Sequence, residues 1–311
     1  MSKPLSAPLI GALCAVGASA AFTLNDMSVK FLSGDYPLHE VILIRSLVAM
    51  AILLLVIVPL SGGYGLLRTR QPGKHALRGF FVVFSNLCFF VALAAMPIAD
   101  ATAIFFVSPL MIGLFSVVFL GERVGPHRWA AIAAGLIGAL VMIRPGSDTF
   151  SPIALMPLLA AAGYAGLHTM TRRLGMGEKA VTMAFYIQLT FLGFSTAFGL
   201  VAGGGGFAPE GDSLALNFLL RAWIWPQPGD LPFFLLAGTG TALGGLLISQ
   251  AYRLCEAALV APLEYVAMPM AILWGLMVFG EWPDAVGWSG ISLILGAGIY
   301  MIWRETRNAG S

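Results

Sequence analysis

A chain of 311 residues that is 59% hydrophobic and only 10% charged, with a mean hydropathy of +0.88, carries more apolar surface than one water-soluble core can hide. Lipid must solvate much of it. The net charge of +2 points to no nucleic-acid partner, and the charged residues fall between long apolar runs, which excludes a soluble amphipathic bundle.

A spanning helix needs about 20 mostly apolar residues, and ten such runs can be bounded by charge, Gly and Pro signals. The predicted spans are Pro8–Phe31, Val41–Leu60, Ala76–Ala95, Ala101–Leu120, Trp129–Ile143, Pro152–Met170, Ala180–Ala202, Leu231–Tyr252, Leu259–Phe279 and Ala285–Trp303. The first run has no small-residue cleavage site leading into soluble sequence, so it is expected as a retained helix and not a signal peptide. Short connections such as Met96–Asp100 imply antiparallel neighbours. Only the segment from Gly203 to Asp230 is long. Within it, Leu214–Trp225 reads either as an interfacial helix or as a structured loop with aromatic anchors. Cys14, Cys88 and Cys255 match no metal-ligand or CxxC spacing and read as packing residues.

Basic residues set an expected orientation. With ten spans and the N-terminus inside, 13 of the 17 Lys and Arg fall on the cytoplasmic side, among them Arg68, Arg70, Lys74, Arg172, Arg173 and Arg304. Lys30, Arg144 and Arg221 face the other side, and Arg45 lies inside the second span. Both termini are therefore expected in the cytoplasm.

Polar groups at membrane depth are costly, so each is a site candidate. Asn25 and Asp26 sit together in the first helix. Asp26, four residues before Lys30, reads as an i,i+4 pair at the helix end or as a proton carrier, whereas Asn25 has no such partner. Asn86, beside Ser85 in the third helix, and Gln250, beside Ser249 in the eighth, suit ligand contact or interhelical bonding equally. Tyr164 and His168 are four residues apart and share one face of the sixth helix, with Tyr186 and Gln188 as weaker candidates in the seventh. Glu264, between Pro262 and Tyr265 in the ninth helix, is placed either to bind a substrate amine or take up a proton, or to face water and pair with Arg253. Arg45 suits a substrate carboxylate, or a pair with Glu40 or Asp35. Pro109 and Pro269 are expected to kink the fourth and ninth helices and serve as hinges. Gly240-xxx-Gly244, Gly135-xx-Gly138 and Gly296-x-Gly298 read as close packing surfaces, within a monomer or in a homodimer.

The chain also repeats itself. A shift of 159 residues aligns Gly121-Glu122 with Gly280-Glu281, Trp129 with Trp288 and Met111 with Met270; a shift of 143 aligns Leu24, Asn25 and Met27 with Leu167, His168 and Met170. Five helices per repeat is an odd number, so the halves, residues 1–146 and 147–311, are expected in opposite orientations with a site at their interface.

This layout, with Phe119-Leu120-Gly121-Glu122 and its partner Val278-Phe279-Gly280-Glu281 each between the last two helices of a half, resembles the EamA-type branch of the drug/metabolite transporter superfamily. The resemblance runs from Pro8 to Trp303. It implies an all-α integral membrane fold, ten transmembrane helices as two inverted five-helix repeats around a central cavity, in a bacterial inner membrane. Within the family the chain looks most like exporters of amino acids, aromatic ones included. The expected function is export of amino acids or related small metabolites by alternating access, without cofactor; a second reading is export of quaternary-ammonium or other drug-like compounds. A membrane enzyme would need a reactive set, and no HExxH, GxSxG or P-loop occurs. The substrate-binding candidates are thus Asn25, Asn86, Tyr164, His168, Gln250, Glu264 and Tyr265.

Overall fold

The computed structural model describes residues 7–121, 125–147, 150–174, 179–208, 211–254, 260 and 263–309. Glu122, Pro262 and the side chains of Arg172, Arg173, Ser249 and Arg253 lie outside the described residues. The described chain is helical throughout, with no strand. In order, the helices are α1 (Ala7–Leu32), α2 (Leu38–Ser61), α3 (Pro72–Ala95), α4 in two segments (Ile98–Phe105 and Ser108–Leu120), α5 (Pro126–Ile143), α6 (Met156–Leu174), α7 (Ala180–Ala202), the short α8 (Leu214–Leu220), α9 (Leu231–Leu254), α10 (Ala267–Phe279) and α11 (Ala285–Ala309).

Local chemistry explains the boundaries. Proline opens α3 at Pro72 and α5 at Pro126, where its missing N–H costs nothing. Gly121 and Gly280 end α4 and α10 in the left-handed region, at φ 70° and 65°, a conformation in which a Cβ would crowd the backbone. Among the described residues, six helices are long and apolar enough to cross a membrane: α1, α2, α3, α4, α7 and α9. Trp129–Ile143, Ala267–Phe279 and Ala285–Met301 are shorter apolar helices. Of the remaining two, α8 is a short helix of the long connection and α6 is diluted by the polar residues of its second half.

Small residues draw the helices together. α1 lies along α9, α3 along α6, α5 along α11, and α2 between α7 and α9. A Cβ on Gly240 would strike the Ala21 carbonyl and one on Gly244 would strike Phe22; Gly138 faces Ile294 in the same way. These glycine surfaces therefore join helices within the chain. In the long connection the helix stops at Leu220, with Phe218 fully buried, and residues 221–227 form no regular element. Trp223 N–H donates to the Gly203 carbonyl at 3.0 Å, which folds the connection down as a structured loop, and Trp225 remains 83% exposed.

Candidate functional site

Two polar groups lie inside the bundle, joined by aromatic rings. The first is centred on Arg45, the eighth residue of α2 and only 1% exposed. Its Nη1 donates to Asn25 Oδ1 at 3.2 Å, and the same oxygen accepts from Thr241 Oγ1 of α9 at 3.0 Å. Asn25 Nδ2 donates to Asp26 Oδ1 at 2.8 Å. The guanidinium lies between the rings of Phe90 and Phe191, 5.0 Å from each centroid, so cation–π attraction replaces part of its lost hydration. Glycine makes the cluster possible, since a Cβ on Gly238 would meet the Arg45 carbonyl and Val48.

The i,i+4 pair of Asp26 with Lys30 does not form. Lys30 Nζ instead meets Glu281 Oε1 at 2.9 Å and the Met96 carbonyl at 2.6 Å. The left-handed Gly280 turns Glu281 back toward the bundle, where its other oxygen accepts from Ile98 N–H at 3.2 Å. A long-range carboxylate that also caps α4 outcompetes the local one. Nor does Arg45 pair with Glu40, whose Oε2 accepts from Ile224 N–H at 3.1 Å.

The second group is aromatic. Tyr164 and His168 of α6 stand with ring centroids 4.5 Å apart, Tyr164 meets Phe105 at 5.5 Å, and Phe105 meets Phe89 at 5.1 Å. His168 is exposed while Tyr164 and Phe105 are half-buried, so this aromatic group is open at its His168 end. Glu264, half-buried, directly precedes Tyr265 in the chain. Phe89 and Phe90 are consecutive on α3 and link this group to Arg45.

The other expected residues are placed differently. Tyr265 is 7% exposed; its ring packs on Phe106 at 5.0 Å and its hydroxyl presses on Gly298, whose missing side chain makes the room. Asn86 Nδ2 turns back to the Val82 carbonyl of its own helix at 3.0 Å. Gln250 is half-buried near the end of α9, and Tyr186 is drawn away to the Leu67 carbonyl and the His75 ring. A shallow groove between α2, α7 and α9, lined by Leu53, Ile57, Val181, Ala184, Ala242, Gly245 and Leu246, is apolar and holds none of these groups.

Each proline follows directly on a break in the helical path. α4 breaks at Phe106–Val107, and Pro109 lies in the first turn after the break; Pro269 likewise follows the turn Tyr265–Val266 in the first turn of α10. Each proline lacks the N–H that would carry the helix through. The two breaks are 159 residues apart in sequence, and their rings, Phe106 and Tyr265, touch. Sequence reasoning missed Thr241, Phe90 and Phe191. A cation eight residues into an apolar helix was the available signal that such partners exist.

Residues 9–144 match the EamA-like transporter family. The chain is 31% identical over 97% of its length to a riboflavin transporter of Vibrio cholerae, covering 96% of that protein. It is 34% identical over 79% of its length to a riboflavin transporter of Rhizobium johnstonii, covering 75% of that protein. Among solved structures, one crystal structure superposes with a TM-score of 0.62 at 21% identity, over 97% of this chain and 98% of that one, a likeness of fold.

Proposed function

This chain belongs to the EamA-like transporter family, and we propose that it carries a planar heteroaromatic metabolite of the riboflavin class across a bacterial inner membrane. It is a multi-pass membrane transporter of that family, and the membrane-enzyme alternative has nothing in its favour. The substrate class is the new element. Both relatives compared in detail are named for riboflavin, which moves the reading from amino acids to a fused-ring compound.

The observation that carries this reading is the open aromatic face of Tyr164, His168 and Phe105. Flat rings stack on flat rings with a gain of about 1–3 kcal/mol per ring removed, and an imidazole and a phenol add hydrogen bonds at the ring edge. Glu264 supplies an acceptor for a ring N–H or a sugar-alcohol hydroxyl.

The transport cycle we infer is alternating access between two inverted repeats, residues 1–146 and 147–311, with ten spans and both termini cytoplasmic. Supporting it, the pairings cross between halves: α1 with α9 has its counterpart in α6 with α3, while α2 meets α7 and α5 meets α11. The helix breaks before Pro109 and Pro269 give each half a bending point where their rings meet. Uptake of labelled riboflavin into proteoliposomes, with unlabelled riboflavin trapped inside, tests the reading. Saturable uptake that falls with Tyr164→Ala and His168→Ala supports it. No uptake of riboflavin alongside uptake of tryptophan would overturn it in favour of an amino-acid carrier.

A further inference from the structure

Arg45 donates from Nη1 to Asn25, but its Nε and Nη2 are buried and have no hydrogen-bond partner. Those two atoms form the lateral edge of the guanidinium, on which two N–H bonds point in parallel. Such an edge matches two acceptors set side by side, as in a carboxylate or in the adjacent oxygen and nitrogen of a fused heteroaromatic ring. Leaving it bare in a low-dielectric interior is unfavourable, and cationic residues within membrane helices mark substrate paths. The plane of the group is fixed by Phe90 and Phe191 and its inner corner by Asn25, itself held by Thr241. The free edge is therefore oriented before any ligand arrives. Phe90 adjoins Phe89, which touches Phe105, which touches Tyr164, so the edge lies at the end of an aromatic run that starts at the open face.

We propose that the Nε–Nη2 edge of Arg45 is a substrate-docking point for a pair of adjacent hydrogen-bond acceptors. It is sealed in this structure and is reached when the two halves move. Asn25 and Thr241 are positioning residues that hold the fork, and Asp26 offsets its charge without taking the edge. The ring-edge form of the ligand rests on the riboflavin reading; the carboxylate form does not.

The test uses the unaltered protein in proteoliposomes. Phenylglyoxal modification of Arg45 is followed by peptide mass mapping, alone and with benzoate, benzyl alcohol or riboflavin. Slowing by benzoate and by riboflavin, and not by benzyl alcohol, is the expected result. Slowing by benzoate alone keeps the docking point and removes the riboflavin reading; slowing by riboflavin alone keeps both and makes the ring edge the ligand. An Arg45 that never reacts is not on the path, and one that reacts at the same rate under every condition takes no acceptor pair; either result overturns the proposal. As a second measurement, Arg45→Lys keeps the charge and loses the fork, so the ligand found to slow modification should bind about tenfold or more weaker. Unchanged affinity in a folded Arg45→Lys protein would also overturn it.

Discussion

The end of the bundle away from the chain termini and the end that carries them are fastened by different chemistry. At the first, α1 and α10 are joined by Lys30–Glu281, Tyr36 donates to Asp230 at 2.7 Å, Arg221 reaches the Gly34 carbonyl at 2.7 Å, and Arg144 pairs with Asp284. Each of these links the first half of the sequence to the second. At the other end, the cross-links among the described residues include the hydroxyl-to-carbonyl contacts of Thr182 with Leu66 and Tyr186 with Leu67 and the hydroxyl-to-imidazole contact of Tyr300 with His127. His168, in the second half of α6, is exposed.

Removing the charge lock should have the largest effect. Lys30→Met strands Glu281 in a partly buried place and is expected to cost about 3 kcal/mol, read as a lower midpoint of thermal unfolding in detergent. The double variant Lys30→Met with Glu281→Gln should regain most of that loss. A single variant as stable as the parent would show that this end is held by packing and not by the ion pair.

At the aromatic end the effect should appear in binding and not in folding. Tyr164→Ala is expected to weaken riboflavin binding about tenfold, from a stacking loss of about 1–2 kcal/mol, and Tyr164→Phe to retain most of it. Quenching of riboflavin fluorescence measures both. If both variants lose binding equally, the hydroxyl and not the ring face carries the contact.

Thr241→Val probes the polar cluster between the two ends. It deletes one interhelical hydrogen bond to Asn25 at nearly constant shape, a loss of about 0.6–1 kcal/mol, visible as a small drop in melting temperature. The smallest effect belongs to Arg144–Asp284, 2.6 Å apart at its longer contact. Hydrogen bonds from Arg144, and then from the Gly287 N–H, hold the Asp284 carboxyl below its ordinary range. A depressed folded value gives stability that is complete above the unfolded carboxylate range near pH 4 and is lost as pH falls through the folded value. Because Asp284 is 57% exposed, solvent screening limits it to a few tenths of a kcal/mol. The difference between Asp284→Asn and the parent should thus shrink as pH falls below the ordinary carboxylate range at about pH 4, and shrink in high salt.

Helix positions were legible in the chain because hydrocarbon imposes length and polarity limits that a local window can read; α7 begins and ends where the apolar run does, at Ala180 and Ala202. The same windows found Tyr164 and His168, since four residues is a purely helical relation. They failed for Asp26 and Lys30, where the local spacing was favourable and the partner lay 251 residues away in Glu281. They also read Tyr265 as a ligand contact, because nothing local reveals that Gly298 leaves a slot for its hydroxyl.

By itself, then, the sequence determined that this is a membrane protein of apolar helices, where those helices lie, and, through the Gly-Glu segments, which family it resembles. These follow from composition, period and turn chemistry, all short-range properties. Only the tertiary structure decided which polar groups meet. Pairing Lys30 with Glu281, and setting Arg45 among Asn25, Thr241, Phe90 and Phe191, depends on how closely glycine-lined helices approach, and that distance is a property of two surfaces at once.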